Sequence, residues 1–218
     1  MPAKNRANPL ALAVLVCLAE RPMHPYEVAT TLRQRHKDES IRLNFGSLYG
    51  VVESLERRGL IKAKETRRSG RLPERTVYEL TEAGQIETHD WLTDLISIPV
   101  RDYPSFQAAL SFLPALPPGD VVALLTERAE RLESELVQAA AAREFVQKYR
   151  IPRLFWVEHE FGTVLREAEL GYVRQLIADI ESGALDGTAW WHEMHTRSDD
   201  DPVPPLPFGG TDIEEGIK

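Results

Sequence analysis

Apolar positions along this chain recur mostly at helical spacing, broken once by a short stretch that alternates. Residues 8–20, NPLALAVLVCLAE, are apolar nearly all round the helix, with Asn8 placed as N-cap and Pro9 at the first helical position. Such a helix belongs in an interior. A second helix starts near Pro25 and carries the stripe Tyr26, Val28, Ala29 and Leu32. In NFGSLYGVVESLERRGLI, Asn44 to Ile61, one face is Leu48, Val51, Val52 and Leu55. The opposite face presents Ser47, Gly50, Ser54 and Arg57, flanked by Tyr49, Glu53 and Arg58, and Gly59 is placed to end the helix. The alternation then changes period. LIKAKETRR, the turn SGRLPE and RTVYELT predict a β-hairpin whose tip holds Arg67, Arg68, Arg71 and Arg75.

A fourth helix follows, capped by Thr81, with the stripe Ile86, Trp91, Leu92, Leu95 and Ile96 and an internal Gly84. Pro99 and Pro104 mark a linker, and SFQAALSFLPALPP is a short apolar segment cut off by prolines. Two long amphipathic helices come next. One runs from Asp120 to about Tyr149 through Leu125, Leu132, Leu136 and Val146. Ile151-Pro152 breaks it, and the other runs from Arg153 to Ser182 through Phe161, Val164, Leu165, Ala168, Tyr172, Leu176 and Ile180. A helical pair that long must also pack on a further element or another chain. The predicted fold is therefore mainly α with a small β-hairpin wing. An N-terminal winged helix-turn-helix spans 1–98, a linker with a short helix 99–119, and a long-helix dimerisation and effector region 120–195. The Pro- and acid-rich tail, 196–218, is expected to be disordered.

Charge sharpens this picture. The 218 residues carry a net charge of -8, which excludes a uniformly basic protein. Residues 1–90, however, hold 15 Lys and Arg against 12 Asp and Glu, and the remainder 11 against 22. Between Ser40 and Arg75 the count is nine basic to four acidic. A basic hairpin next to a helix with a small, hydrogen-bonding face fits major-groove reading by the helix and phosphate contact by the wing. The bland reading is that the arginines only solvate a hairpin; helix, hairpin and charge together favour DNA.

Three pieces in this order, MHPYEVATTL, GSLYGVVESLERRGLI and ERTVYELTEAGQ, resemble the PadR family of transcriptional regulators over roughly residues 9–97. They correspond to a His-Gly-Tyr-type second helix, a Thr-Leu-Tyr-type recognition helix and a wing closing on Tyr-x-Leu-Thr-x-x-Gly. Pro25 stands where the family usually has glycine, and Ser47 replaces threonine while keeping the hydroxyl. The resemblance implies a homodimeric repressor with a helical C-terminal region for dimerisation and ligand response. It points to Tyr49 and the wing arginines as DNA contacts, with Tyr26 as a further candidate. The expected DNA-contacting set is Tyr26, Ser47, Tyr49, Gly50, Ser54, Arg57, Arg67, Arg68, Arg71 and Arg75. Trp91, Phe155, Trp156 and Tyr172 are candidates to line a pocket for a small aromatic or apolar effector, against the plainer reading of core or interface packing.

Other chemistry finds less support. His192, Glu193 and His195 in WWHEMH lack metal-site spacing and lie near an expected frayed end, so no metal is expected. Ser47 and Ser54 have no activating base, and SGRLPE is no phosphate loop, so neither enzyme activity nor a cofactor is expected. The single cysteine, Cys17, sits in an apolar run interrupted by Glu20-Arg21, which reads as a core helix and not a signal peptide. No apolar run is long enough for a membrane span, and a cytoplasmic location is expected. The function expected is sequence-specific binding of pseudo-palindromic double-stranded DNA by a ligand-responsive homodimeric repressor. The alternative is a winged-helix protein-interaction scaffold without DNA binding, which the acidic C-terminal half allows.

Overall fold

Asn8 caps α1 (Pro9–Glu20) as its spacing predicts, its Oδ1 accepting the Leu10 N–H at 3.1 Å. The computed structural model describes residues 8–41, 43–67 and 75–197. They divide into two units, one ending at Asp102 and the other beginning at Tyr103. In the first unit α1 is the central element, buried on nearly every side, with Val14, Leu15 and Cys17 fully enclosed. Burial raises the Cys17 thiol pKa above its ordinary value, as expected of a packed and unreactive cysteine.

Around α1 pack α2 (Pro25–Gln34), α3 (Phe45–Arg57) and α4 (Glu82–Ser97). Pro25 fits the first turn of α2, where a missing N–H costs nothing. A capping box closes that end: His24 Nδ1 accepts the Tyr26 N–H, and Glu27 accepts the His24 N–H at 2.8 Å. Gly59, at φ 71°, ends α3 in the left-handed conformation that glycine adopts without strain. The hairpin follows as β1 (Ile61–Arg67) and β2 (Arg75–Leu80), antiparallel from Ile61 opposite Leu80 to Arg67 opposite Arg75, with a bulge between Ala63 and Glu65. Met23, ahead of α2, exchanges two backbone hydrogen bonds with Tyr78 at 3.0 Å each, which stitches the hairpin to the helices. The hydrophobic pattern carries no hint of that bridge.

The start of α4 is fixed more tightly than its pattern predicts. Thr81 Oγ1 accepts the Gly84 N–H at 3.0 Å and donates to the Gly59 carbonyl at 2.8 Å, while the Thr81 N–H reaches the Leu60 carbonyl at 3.1 Å. A Cβ on Gly84 would stand 2.0 Å from that same Leu60 oxygen. This crossing sets the rotation of α4. Gly84, Thr88 and Trp91 face inward, whereas Ile86, Leu92, Leu95 and Ile96 of the expected stripe are exposed, so only Trp91 of that stripe is core.

The second unit contains α5 (Ser105–Leu110), α6 (Pro118–Lys148), α7 (Val157–Ser182) and α8 (Thr188–Thr196). Its core is built from Val121, Leu125, Ala129 and Leu132 of α6 against Leu170, Val173, Leu176 and Ile180 of α7, with Trp191 of α8. Ion pairs link α6 and α7 along their length: Arg128–Glu169 (2.6 Å), Arg174–Glu133 (2.6 Å) and Arg166–Glu135 (2.7 Å). Such exposed pairs stabilise little and mainly select the register. The WWHEMH segment is not frayed: Thr188 and Trp191 are buried, and the Trp191 indole N–H donates to the Leu116 carbonyl at 2.8 Å. The expected disordered tail beyond Arg197 lies outside the described residues. Among the described residues no helix is long and apolar enough to cross a membrane, and no cluster of metal-ligating side chains occurs.

The Gly84 crossing yields a stability prediction. Gly84→Ala gains helix propensity but must push Leu60 away, so a net loss of about 1–3 kcal/mol is expected. Thr81→Ala is expected to lose about 1 kcal/mol through its cap. Chemical denaturation of the full chain, followed by circular dichroism, measures both; an unchanged Gly84→Ala midpoint would contradict the packing described.

Candidate nucleic-acid interface

Helix α3 is held by one face and turns the other outward. Leu48, Val51, Val52 and Leu55 are buried against α1 and its neighbours. Ser47, Tyr49, Gly50 and Arg57 are exposed, and Ser54 is half-buried. The sequence-predicted α3 residues thus share one outward face. Asn44 caps the helix, its Oδ1 accepting the Gly46 N–H at 2.9 Å. Ser47 Oγ donates to the Asn44 carbonyl at 2.9 Å. The serine proton is thereby committed, and the hydroxyl faces outward as an acceptor. Tyr49 stands 47 % exposed, with its phenol at the surface.

Gly50 is informative because no packing contact among the described residues requires it. No atom lies within 4 Å of where its Cβ would be, and it has ordinary helical geometry. A glycine inside a helix costs about 1 kcal/mol relative to alanine. Its effect is to leave the backbone of the outward face bare.

Other predicted contacts are placed less completely. Tyr26 is exposed on α2. Arg67 and Arg75 are backbone partners at the last described pair of the hairpin register, while Arg68 and Arg71 fall in 68–74, outside the described residues. Two further cations emerge on the hairpin, Lys62 and Lys64. Both reach Glu79, at 3.2 and 3.1 Å, and the hydrogen bonds from Lys64 and then Lys62 hold the Glu79 carboxyl below its usual range. Their i, i+2 spacing in a strand was the available signal. Tyr78, beneath α3, has its phenol pKa raised by burial and then by the charges of Glu56 and Glu53.

The suggested effector residues are placed differently from one another. Trp91 is 1 % exposed within the first unit's core, and its buried indole N–H meets no acceptor among the described residues. In the second unit Phe155 and Tyr172 are exposed, and Trp156 is half-buried where a short 3-10 turn, Arg153–Phe155, runs into α7.

Comparison with known proteins agrees with the motifs. Residues 14–90 match the transcriptional regulator PadR-like family. Bacillus subtilis PadR in complex with operator DNA is similar in fold, with a TM-score of 0.63 at 19 % identity over 78 % of this chain and 98 % of that one. The same Bacillus subtilis protein in complex with p-coumaric acid gives 0.62 at 18 % identity over 79 % and 98 %. A PadR-like transcriptional regulator from Bacillus cereus gives 0.54 at 17 % identity over 80 % and 99 %. No curated protein matches the chain in sequence. The fold is that of the PadR-type winged-helix proteins, wing and long C-terminal helices included.

Two substitutions separate the cap from the bare face. Asn44→Ala is expected to lose about 1 kcal/mol of stability, because one N–H of α3 loses its acceptor. Gly50→Ala is expected to gain up to about 1 kcal/mol, since the site is open and helical. Urea denaturation of each full-length variant reads the sign, and a destabilised Gly50→Ala would show that the unit itself needs the glycine.

Proposed function

We propose that this chain, PadR-like over residues 14–90 and PadR-type in fold, is a sequence-specific DNA-binding transcriptional regulator that acts as a homodimeric, ligand-responsive repressor. The observation that carries the reading is the outward face of α3: a serine acceptor, a tyrosine and an unneeded glycine, on a helix anchored by its other side. A face that small lets the helix backbone approach base edges in a major groove, where Tyr49 and Ser47 supply contacts. The hairpin cations bind phosphates and fix the register. Tyr26, Ser54, Arg57, Arg67, Arg68, Arg71 and Arg75 complete the proposed contact set.

Support for the dimer comes from α7. Val157, Phe161, Val164, Leu165 and Tyr172 are each at least 45 % exposed, on the helix whose other side already fills the unit's core. A second copy of the same face is the partner that hides it in a self-complementary, two-fold arrangement. Two recognition helices related in that way read half-sites about one helical turn, roughly 10 bp, apart or a multiple of that. A small aromatic or apolar effector that prefers one dimer geometry changes their spacing, and so the DNA affinity. Phe155, Trp156 and Tyr172 are the second-unit residues offered to it; Trp91 belongs to the first unit's core.

Fluorescence anisotropy with the DNA upstream of the chain's own gene, at two salt concentrations and then with selected sequences, tests the reading. Tight, sequence-selective binding that weakens steeply with salt is expected. Neutralising Arg67, Arg68 and Arg71 together should flatten the salt dependence by about 0.9 in log-log slope for each phosphate that these arginines engage. Gly50→Ala should weaken selective binding while leaving the chain at least as stable. Absence of salt-sensitive binding to any DNA would overturn the reading in favour of a protein-interaction scaffold. For the dimer, Phe161→Asp with Leu165→Asp should shift the sedimenting species from two copies to one; an unchanged mass would remove α7 from the interface.

A further inference from the structure

The four buried residues of α3, Leu48, Val51, Val52 and Leu55, fix the rotation of the helix. At about 100° per residue, Gly46, Gly50, Glu53 and Arg57 all fall within roughly 30° of the direction opposite that buried face. Tyr49 and Ser54 lie about 70° to either side of it, and Ser47 about 90°. All four residues of the central stripe are exposed. The middle of the outward face is therefore two glycines, a carboxylate and a guanidinium. Glu53 stands one turn after the bare backbone of Gly50 and one turn before Arg57. Their i, i+4 spacing would allow Glu53 and Arg57 to pair. Among the described residues, however, neither side chain makes a hydrogen bond or an ion pair. Arg58 is different: its guanidinium turns to Glu87 of α4 at 3.1 Å. Of the two arginines that end the helix, Arg57 is the one left outward.

A carboxylate in the middle of a face that meets DNA works against binding in general. It repels phosphates, and when ionised it has no hydrogen to donate. Guanine O6 and N7, adenine N7 and thymine O4 are all acceptors, so it can satisfy none of them. What it can accept from in a major groove is an exocyclic amino group, cytosine N4–H2 or adenine N6–H2. Adenine sets its N7 acceptor beside N6, and a carboxylate has nothing to offer that atom. Cytosine presents its amino group without such a neighbour. Arg57 has the opposite chemistry and suits guanine, whose O6 and N7 accept two guanidinium hydrogens at once.

On the basis of the DNA reading proposed for α3, we infer that Glu53 is a specificity-determining residue that accepts a hydrogen bond from the N4 amino group of a cytosine in each half-site. Arg57, one helical turn away, takes a guanine nearby. The bare Gly50 backbone brings the helix close enough for a side chain of glutamate's length to reach a base edge. Glu53 adds little affinity, because its attraction to cytosine is offset by its repulsion of phosphates. It acts by rejecting bases that leave its carboxylate facing an acceptor.

Selection from random duplexes by the full chain and by its Glu53→Gln and Glu53→Ala variants tests this assignment. Residue 53 is exposed, and glutamate, glutamine and alanine are all good helix formers, so the fold is retained. The parent chain is expected to select cytosine at one fixed position of each half-site. Glu53→Gln should change that base to adenine, whose N7 and N6 the amide meets with one donor and one acceptor. Glu53→Ala should accept any base there, with discrimination falling at least about fivefold. Its binding to random DNA should stay equal or tighten, because a negative charge leaves the contact face. The same cytosine in all three selections would overturn the inference and leave the DNA reading standing. Affinity that falls equally for every sequence in both variants would also overturn it, since a purely structural role predicts that. A parent chain that selects no sequence would remove the proposed function and this inference together.

Discussion

The first unit depends on one backbone oxygen. The Leu60 carbonyl, just after the end of α3, accepts the Thr81 N–H and sits against Gly84 so closely that no side chain fits between. Thr81 meanwhile caps α4 and bonds to Gly59. Three elements meet at this joint: the end of the candidate recognition helix, the return of the hairpin and the start of α4. Once it is formed, the angle between α3 and the wing is no longer free. A surface that must meet a groove and a phosphate row together needs such a fixed angle, since a small misplacement loses both sets of contacts.

The second unit follows a different logic. Two long helices bury one stripe each and exchange ion pairs along their flanks, so their register is specified, but α7 keeps a second apolar face uncovered. An exposed apolar face of that extent is the kind of surface that marks an interaction site. The first unit holds α3 by its buried face, and the second leaves an apolar face of α7 exposed. The proposed reading of DNA by a two-fold pair draws on both properties.

Much of this was legible in the sequence because it rests on local chemistry. Asn8, Pro25, Gly59 and Thr81 each mark a helix end through the hydrogen bonds or dihedral angles that their side chains permit, and each lies where that chemistry predicts. The buried face of α3 was equally clear, since its four apolar residues recur at one helical period. What was not legible depends on contacts between distant segments. The Met23–Tyr78 bridge leaves no periodic trace. The inward face of α4 departs from its apolar stripe because Ile86, Leu92, Leu95 and Ile96 outweigh Gly84 and Thr88 in hydrophobicity, whereas close approach to Leu60 selects the small residues. In α7 the apolar residues occupy two stripes, and the period alone did not say which belongs to the core: Leu170 and Val173 do, while Phe161, Val164 and Leu165 do not. For the candidate interface, the outward α3 face could be read from the sequence. Lys62 and Lys64 are less conspicuous there, because arginine at the hairpin tip dominates the charge pattern.

Photocrosslinking tests most directly whether the outward face of α3 lies against base edges, on which the proposed function turns. A photoreactive benzoylphenylalanine replaces Tyr49 in the full chain, which is then irradiated on a duplex selected from random sequence. Crosslinks to bases are predicted at two symmetric positions about one helical turn apart, or a multiple of that, and should vanish when the half-site sequence is scrambled. Crosslinks to protein alone, or to DNA without regard to sequence, would contradict that placement of the helix.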